Sequence, residues 1–188
     1  MSASRFRLDG ARVCLNLVAT LGKRHAEPIE RIPDAESGTA WLAAAGVLPT
    51  GAMDSMTNGQ LDRLRRLREA VNELVRAAMA SRPLPADALS AVNAAAMRPD
   101  LAPILRQPGL GAVAWQGSAV DAAISTIARD AVELLAHGRI DRIRECEGPD
   151  CSLLFYDDSQ AGRRRWCSMN VCGAQSKVRN YRSRRRQA

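Results

Sequence analysis

The sequence has no acidic residue after Asp158, no apolar run long enough to cross a membrane, no low-complexity tract and no internal repeat. The missing repeat excludes solenoid architectures, and the missing tract leaves disorder to the ends of the chain. The longest apolar run near the start, VCLNLVATL, spans about nine residues and contains Asn16. That is too short for a membrane span. The polar start MSASRFRLDG lacks the flanks of a signal peptide, so the expected compartment is the cytoplasm, with no membrane partner. Catalytic signatures are missing as well: there is no G-x-S-x-G, P-loop, glycine-rich dinucleotide fingerprint or H-E-x-x-H. Asp157 and Asp158 are adjacent carboxylates whose expected work is to cap or turn a loop. The expectation is therefore a protein that is not an enzyme.

What the chain does contain is 188 residues, 46% of them hydrophobic and 25% charged, with a net charge of +7. This length suits one globular body and a small appendage. The charge is uneven. Nine basic residues and no acid follow Ser159, whereas Met1 to Asp158 carries 18 basic against 20 acidic residues and is close to neutral. A polyanion is the expected partner of the basic end.

Helical periodicity dominates the first part. Residues 38–46 (GTAWLAAAG) give a short helix stopped by Gly46. Residues 59–80 give the strongest helix, capped by Thr57 or Asn58, with Leu61, Leu64, Leu67, Val71, Leu74, Val75 and Ala78 on one stripe. Arg63, Arg65, Arg66 and Arg68 read as its solvated face. Residues 85–97 form a second helix packed back as a hairpin. LAPIL and GAVAW form a small β-hairpin with Pro103 on an edge. Residues 120–137 give a third long helix, with Ile124, Ile127, Ala128, Val132 and Leu135 inward and Gly138 as terminator. GRIDRIR, residues 138–144, leads into a cysteine-rich module through a short strand.

Four of the five cysteines lie in CEGPDCSLLFYDDSQAGRRRWCSMNVC, as Cys146-x4-Cys151, fifteen intervening residues, and Cys167-x4-Cys172. Two thiol pairs of equal internal spacing suit a tetrahedral ion, although the spacing lies at the wide end of the zinc range. Four thiolates favour a closed structural Zn2+ site, and nearby arginines offset its negative charge. Disulfides, redox thiols and an iron–sulfur cluster remain alternatives. Cys14 reads as a buried small hydrophobe, and neither His25 nor His137 carries a site. Arg163, Arg164 and Arg165 sit between the pairs. The segment VCGAQSKVRNYRSRRR reads as a helix basic on both faces, with Lys177, Arg179, Arg182, Arg184 and Arg185 as candidate nucleic-acid contacts and Arg186 beside them. DNA is the expected partner, with RNA also open. Arginine suits bidentate contacts to phosphate or guanine. Tyr181 reads as a base-stacking or packing residue, and Trp166 as the large core residue of the module.

At these residues the chain resembles the CGNR zinc-finger family: Cys146 and Cys151, LLFYD, RRRWCSM, CGAQSK and YRSR follow its carboxy-terminal pattern. LNLVAT (Leu15–Thr20) and WLAAAG (Trp41–Gly46) resemble the amino-terminal domain that accompanies it, called ABATE. The resemblance implies a bacterial transcription regulator with a zinc-bound DNA-binding finger and a ligand-sensing domain. Two departures stand out. Ala174 and Gln175 replace the Asn-Arg of the name motif, and Asn16 and Ala19 replace the Asp and Asn of the amino-terminal motif.

The expected fold class is mainly α, or α+β. Residues 1–138 form a helical domain with a small β element. Residues 139–188 form a treble-clef-like or ribbon zinc module ending in a basic helix. Asn16, Thr20, Trp41 and Trp115 are the expected lining of a small-molecule pocket, and a homodimer is compatible with the sequence. A second reading keeps the ligand-binding or enzymatic domain and makes the zinc module a structural clamp, its arginines paired with the protein's own carboxylates.

Overall fold

A computed structural model of the chain describes residues 6–48, 55–105 and 113–187, excepting the side chains of 103, 105, 113–116, 180, 181, 183, 184, 186 and 187. The helices are α1 (Val13–Val18), α2 (Ala35–Ala44), α3 (Asn58–Met79), α4 (Ala86–Ala96), α5 (Ala119–His137) and α6 (Ala174–Gln187). Three two-stranded antiparallel sheets accompany them: β1 (Leu21–Gly22) with β2 (Ile29–Glu30), β3 (Ala102–Leu105) with β4 (Val113–Gln116), and β5 (Ile143–Glu145) with β6 (Leu154–Tyr156). The fold is mainly helical with small sheets, as the periodicity predicts.

Local chemistry sets the helix ends. Thr57 caps α3 in a reciprocal box, its Oγ1 accepting from the Gln60 N–H at 3.2 Å while Gln60 Oε1 accepts from the Thr57 N–H at 2.8 Å. Asp34 does the same for α2 with Ser37, which starts that helix three residues before the expected one. Gly46 stops the following turn at φ +71°, a backbone that a side chain would strain. At Gly138 the chain passes so close to the Leu134 carbonyl that no Cβ could fit, so glycine ends α5 by close approach.

Helix α3 lies against α1, α4 and α5, and α4 also packs on α5. Leu61, Leu64, Leu67, Val71, Leu74 and Val75 bury the expected stripe of α3. Two expectations need correction. On α5 the inward row ends with Ala131 and Leu134, while Val132 is exposed and Leu135 only half-buried. Steps of three and four from Ile127 keep Ala131 and Leu134 in phase, and Val132 lies one residue, about 100°, round the helix. Arg68 does not face solvent: it is buried, with Nη1 donating to Glu30 at 2.8 Å and Nε to Glu69 at 2.7 Å. A charge pattern cannot distinguish a solvated arginine from one whose partners come from a distant strand.

The β5–β6 hairpin joins the helical body to the cysteine module. Successive strand residues face opposite ways, and both faces of β6 are covered. Leu154 packs with Ile143 into the helical core, while Phe155 packs with Cys146, Leu153, Cys167, Cys172 and Ala19. Phe155 is the fully buried aromatic of the module and Trp166 is half-buried, the reverse of the expected emphasis. Further ties cross the junction: the Tyr156 N–H donates to the Gly10 carbonyl at 2.9 Å, and the Arg24 N–H to Ser152 Oγ at 2.9 Å.

Candidate metal centre

The turn of the β5–β6 hairpin holds Cys146 and Cys151, Cys167 follows the arginine loop, and Cys172 lies in the π-turn (Met169–Gly173) that opens into α6. A hairpin turn and a helix start thus face each other, a treble-clef-like arrangement. The turn is tight. The Cys151 N–H donates to the Gly148 carbonyl at 3.1 Å, and Asp150 takes φ +59°. A Cβ on Gly148 would lie 2.9 Å from Cys172 Cβ and 3.0 Å from its Sγ. Only glycine lets the two halves of the cluster meet.

The four sulfurs lie within 4.8 Å of one another, and Cys167 Sγ and Cys172 Sγ are 3.6 Å apart. Four thiolates around zinc at about 2.3 Å would be spaced by about 3.8 Å, so the donor set fits a tetrahedral ion. Three of the four are buried and Cys151 is half-buried. Such a site is closed and structural, without the open position that catalysis needs. Backbone N–H groups already point at sulfur: Cys167 and Gly148 donate to Cys146 Sγ at 3.3 and 3.4 Å. Thiols this close share protons. Hydrogen bonds from Cys151 and Cys167 push the Cys146 thiol down, and the contact with Cys146 pushes both Cys151 and Cys167 up. A bound cation would remove this conflict by taking all four as thiolates. Cys14 lies apart, buried in α1, where burial raises its thiol pKa.

The arginine loop is organised by Asp157. Its Oδ1 accepts from Ser159 Oγ at 2.6 Å and the Ser159 N–H at 3.1 Å, and its Oδ2 from the Arg164 N–H at 2.8 Å. Burial works against the charge, but these donors hold the Asp157 carboxyl below the usual carboxylate range. The three arginines then diverge. Arg164 reaches Asp158 at 3.2 Å and the Cys167 carbonyl at 2.8 Å, with its guanidinium 5.0 Å from the Phe155 ring centre. Arg165 pairs with Glu147 at 2.6 Å and lies over Trp166. Arg163 is exposed and has no partner among the described residues. On α6, Lys177, Arg179, Arg182 and Arg185 are exposed, and among the described residues the first three have no ionic or hydrogen-bonded partner. The side chains of Tyr181, Arg184 and Arg186 lie outside the described residues.

Asn16, Thr20 and Trp41 are each engaged within the fold. Asn16 Oδ1 accepts from the Gly10 N–H at 2.8 Å, and Thr20 Oγ1 donates to the Leu17 carbonyl at 2.7 Å. Trp41 is fully buried in the helical core. The Trp115 side chain lies outside the described residues. A cavity of about 150 Å3 opens elsewhere, between the amino-terminal segment and the metal cluster, lined by Arg7, Lys23, Arg31, Asp150, Cys151, Cys172 and Gln175. Sequence reasoning missed Arg7 and Arg31 there, since neither stands near a cysteine in the chain. Gln175, at the arginine position of the name motif, lines this junction cavity.

No helix among the described residues is long and apolar enough to cross a membrane. Two family models match the chain. Residues 11–138 match ABATE, described as a "putative stress-induced transcription regulator", and residues 142–185 match the CGNR zinc finger. No curated protein matches it. The finger family and the converging thiols together indicate one structural Zn2+. The chain thus belongs to the ABATE family, with a CGNR zinc finger following the ABATE region.

Proposed function

We propose that the protein regulates transcription by binding DNA through its zinc module, with Cys146, Cys151, Cys167 and Cys172 as the four ligands of one Zn2+. The observation that carries the DNA reading is the first part of α6, where Lys177, Arg179 and Arg182 are exposed, while no acid occurs anywhere after Ser159. Cations with no partner among the described residues, on a helix that starts beside Cys172, support contact with phosphates. In this reading residues 1–138 form the sensing domain and 139–188 the DNA-binding module, and a small effector acts through the former.

The test is a salt titration of the zinc-loaded chain on duplex DNA and on RNA. Affinity should fall steeply as salt rises, with a log–log slope of about −0.9 per duplex phosphate neutralised. Absence of salt-sensitive binding to either nucleic acid at low ionic strength would end the reading.

The second reading, the zinc module as a structural clamp, is favoured by the ion pairs Arg164–Asp158 and Arg165–Glu147. It assigns those arginines to internal structure. In that reading the module has no nucleic-acid role, and replacing Arg163, Arg164 and Arg165 would disturb stability while leaving the activity of the amino-terminal domain intact.

A further inference from the structure

Two guanidiniums from the amino-terminal part of the chain stand against the cysteine cluster. Arg7 Nη2 donates to Cys167 Sγ at 3.1 Å across 160 residues of sequence, and its Nε is fixed by Asp9 at 2.8 Å. Arg31 lines the same cavity as Cys151 and Cys172. Its Nη1 is held by the Ala19 carbonyl at 3.3 Å, and its guanidinium lies so close over Gly22 that a Cβ there would collide with it. Burial first, and then the neighbouring Arg7 charge, lowers the Arg31 pKa, so the two cations share one neighbourhood. Two adjacent, partly buried cations are costly without an anion. Asp9 answers Arg7, the Glu30 charge acts on Arg31 from beyond the cavity, and Asp150 is the one carboxylate among the residues lining it.

A zinc ion held by four thiolates is dianionic, and charge-bearing partners outside the ligand set tune such centres. We propose that Arg7 and Arg31 are outer-shell positioning residues of the zinc site, so that the metal centre is completed only when the amino-terminal segment is docked on the finger. Arg7 orients and stabilises the Cys167 thiolate by a charge-assisted hydrogen bond, and Arg31 balances the charge on the Cys151 and Cys172 side. The cavity between them is therefore not free for an anion, since its cations already face a dianionic centre. Loss of zinc removes the dianionic centre that both guanidiniums face. Metal release and undocking of residues 6–10 then become one linked event.

This inference rests on the zinc reading above, and the test separates the two. Zinc affinity of the full chain is measured by competition with a chromophoric chelator, and the thiolate-to-cobalt absorption is recorded on the Co2+-substituted protein. Arg7→Gln should weaken zinc binding by about 10–100-fold and shift the charge-transfer band to lower energy, and Arg7→Lys should recover part of both. Arg31→Gln and Gly22→Ala, which displaces Arg31, should each weaken binding less, and they serve as the test if Arg7→Gln fails to fold. Arg139→Gln, which breaks a surface pair with Asp141, should leave both readouts unchanged. Wild-type affinity and an unshifted band in folded Arg7→Gln and Arg31→Gln would overturn the inference with the zinc reading intact. A wild-type chain that binds no metal would overturn both.

Discussion

Arg76 on α3 grips Glu145 on β5 with two hydrogen bonds, Nη2 to Oε1 at 2.9 Å and Nη1 to Oε2 at 3.1 Å, and His25 Nε2 lies 2.7 Å from the same Oε1. Glu145 immediately precedes Cys146, so this paired contact fixes the helical body to the strand that leads into the metal cluster. Bidentate arginine–carboxylate pairs of this kind exceed ordinary surface pairs in strength. A double-mutant cycle with Arg76→Ala and Glu145→Ala, read by chemical denaturation of the zinc-loaded chain, should give a coupling of about 1 kcal/mol. Additive effects would show that the clasp contributes nothing.

Asp121, in the first turn of α5, gives a pH-dependent contribution away from the cysteines. Burial opposes its charge, but the hydrogen bond from Arg63 at 2.7 Å outweighs this and holds the carboxyl below the usual range. A carboxyl depressed in the folded state stabilises the protein above its unfolded pKa, about 3.9, and that contribution disappears as pH falls through the folded value. Asp121→Asn should therefore cost about 1 kcal/mol near pH 7. The gap to wild type should close as pH falls below 4. An unchanged gap at pH 3 would rule this account out.

The sequence made the helices and the thiol set legible for a physical reason: both are encoded by spacing. Leu61, Leu64, Leu67 and Val71 repeat at helical intervals, and Cys146, Cys151, Cys167 and Cys172 repeat as equal pairs. Contacts between distant segments are not encoded that way. Nothing around Arg7 points to Cys167, and nothing around Arg68 points to Glu30. The same limit applies to the arginine run. Three adjacent cations read as one surface, yet the Asp157-organised loop sends Arg164 to Asp158, Arg165 to Glu147 and leaves Arg163 exposed.

Gly148 should be as sensitive as a ligand, because its missing side chain is what lets Cys172 approach the hairpin turn. Gly148→Ala should weaken zinc binding and destabilise the loaded protein by about 1–3 kcal/mol through overpacking. Metal titration and thermal unfolding both read this. Unchanged values in both would show that the turn can yield.

Chelation should unfold the module while sparing the body. Phe155, Leu153 and Ala19 pack with the cysteines themselves, whereas α3, α4 and α5 pack on one another. Protein purified without added metal should contain about one zinc per chain, and Cys151→Ser or Cys167→Ser should lose it. Removing the metal should abolish amide protection in residues 146–180 and leave the centre of α3 protected. Full protection of the module after chelation would mean that the metal is not structural.

The basic end divides into two groups that a DNA titration can tell apart. Arg165 is already bound to Glu147 and stacked on Trp166, so meeting a phosphate would mean giving up a formed ion pair. Arg179 and Arg182 have no such pair among the described residues and stand exposed on α6. Removing one cation that neutralises a phosphate should shallow the log–log salt slope by about 0.9. Arg179→Ala with Arg182→Ala should then reduce the slope by up to about 2 and weaken binding across unrelated sequences alike. Arg165→Ala should leave the slope unchanged and free Glu147. The opposite pattern, a slope carried by Arg165 and indifferent to Arg179 and Arg182, would move the DNA-facing surface from the helix to the loop.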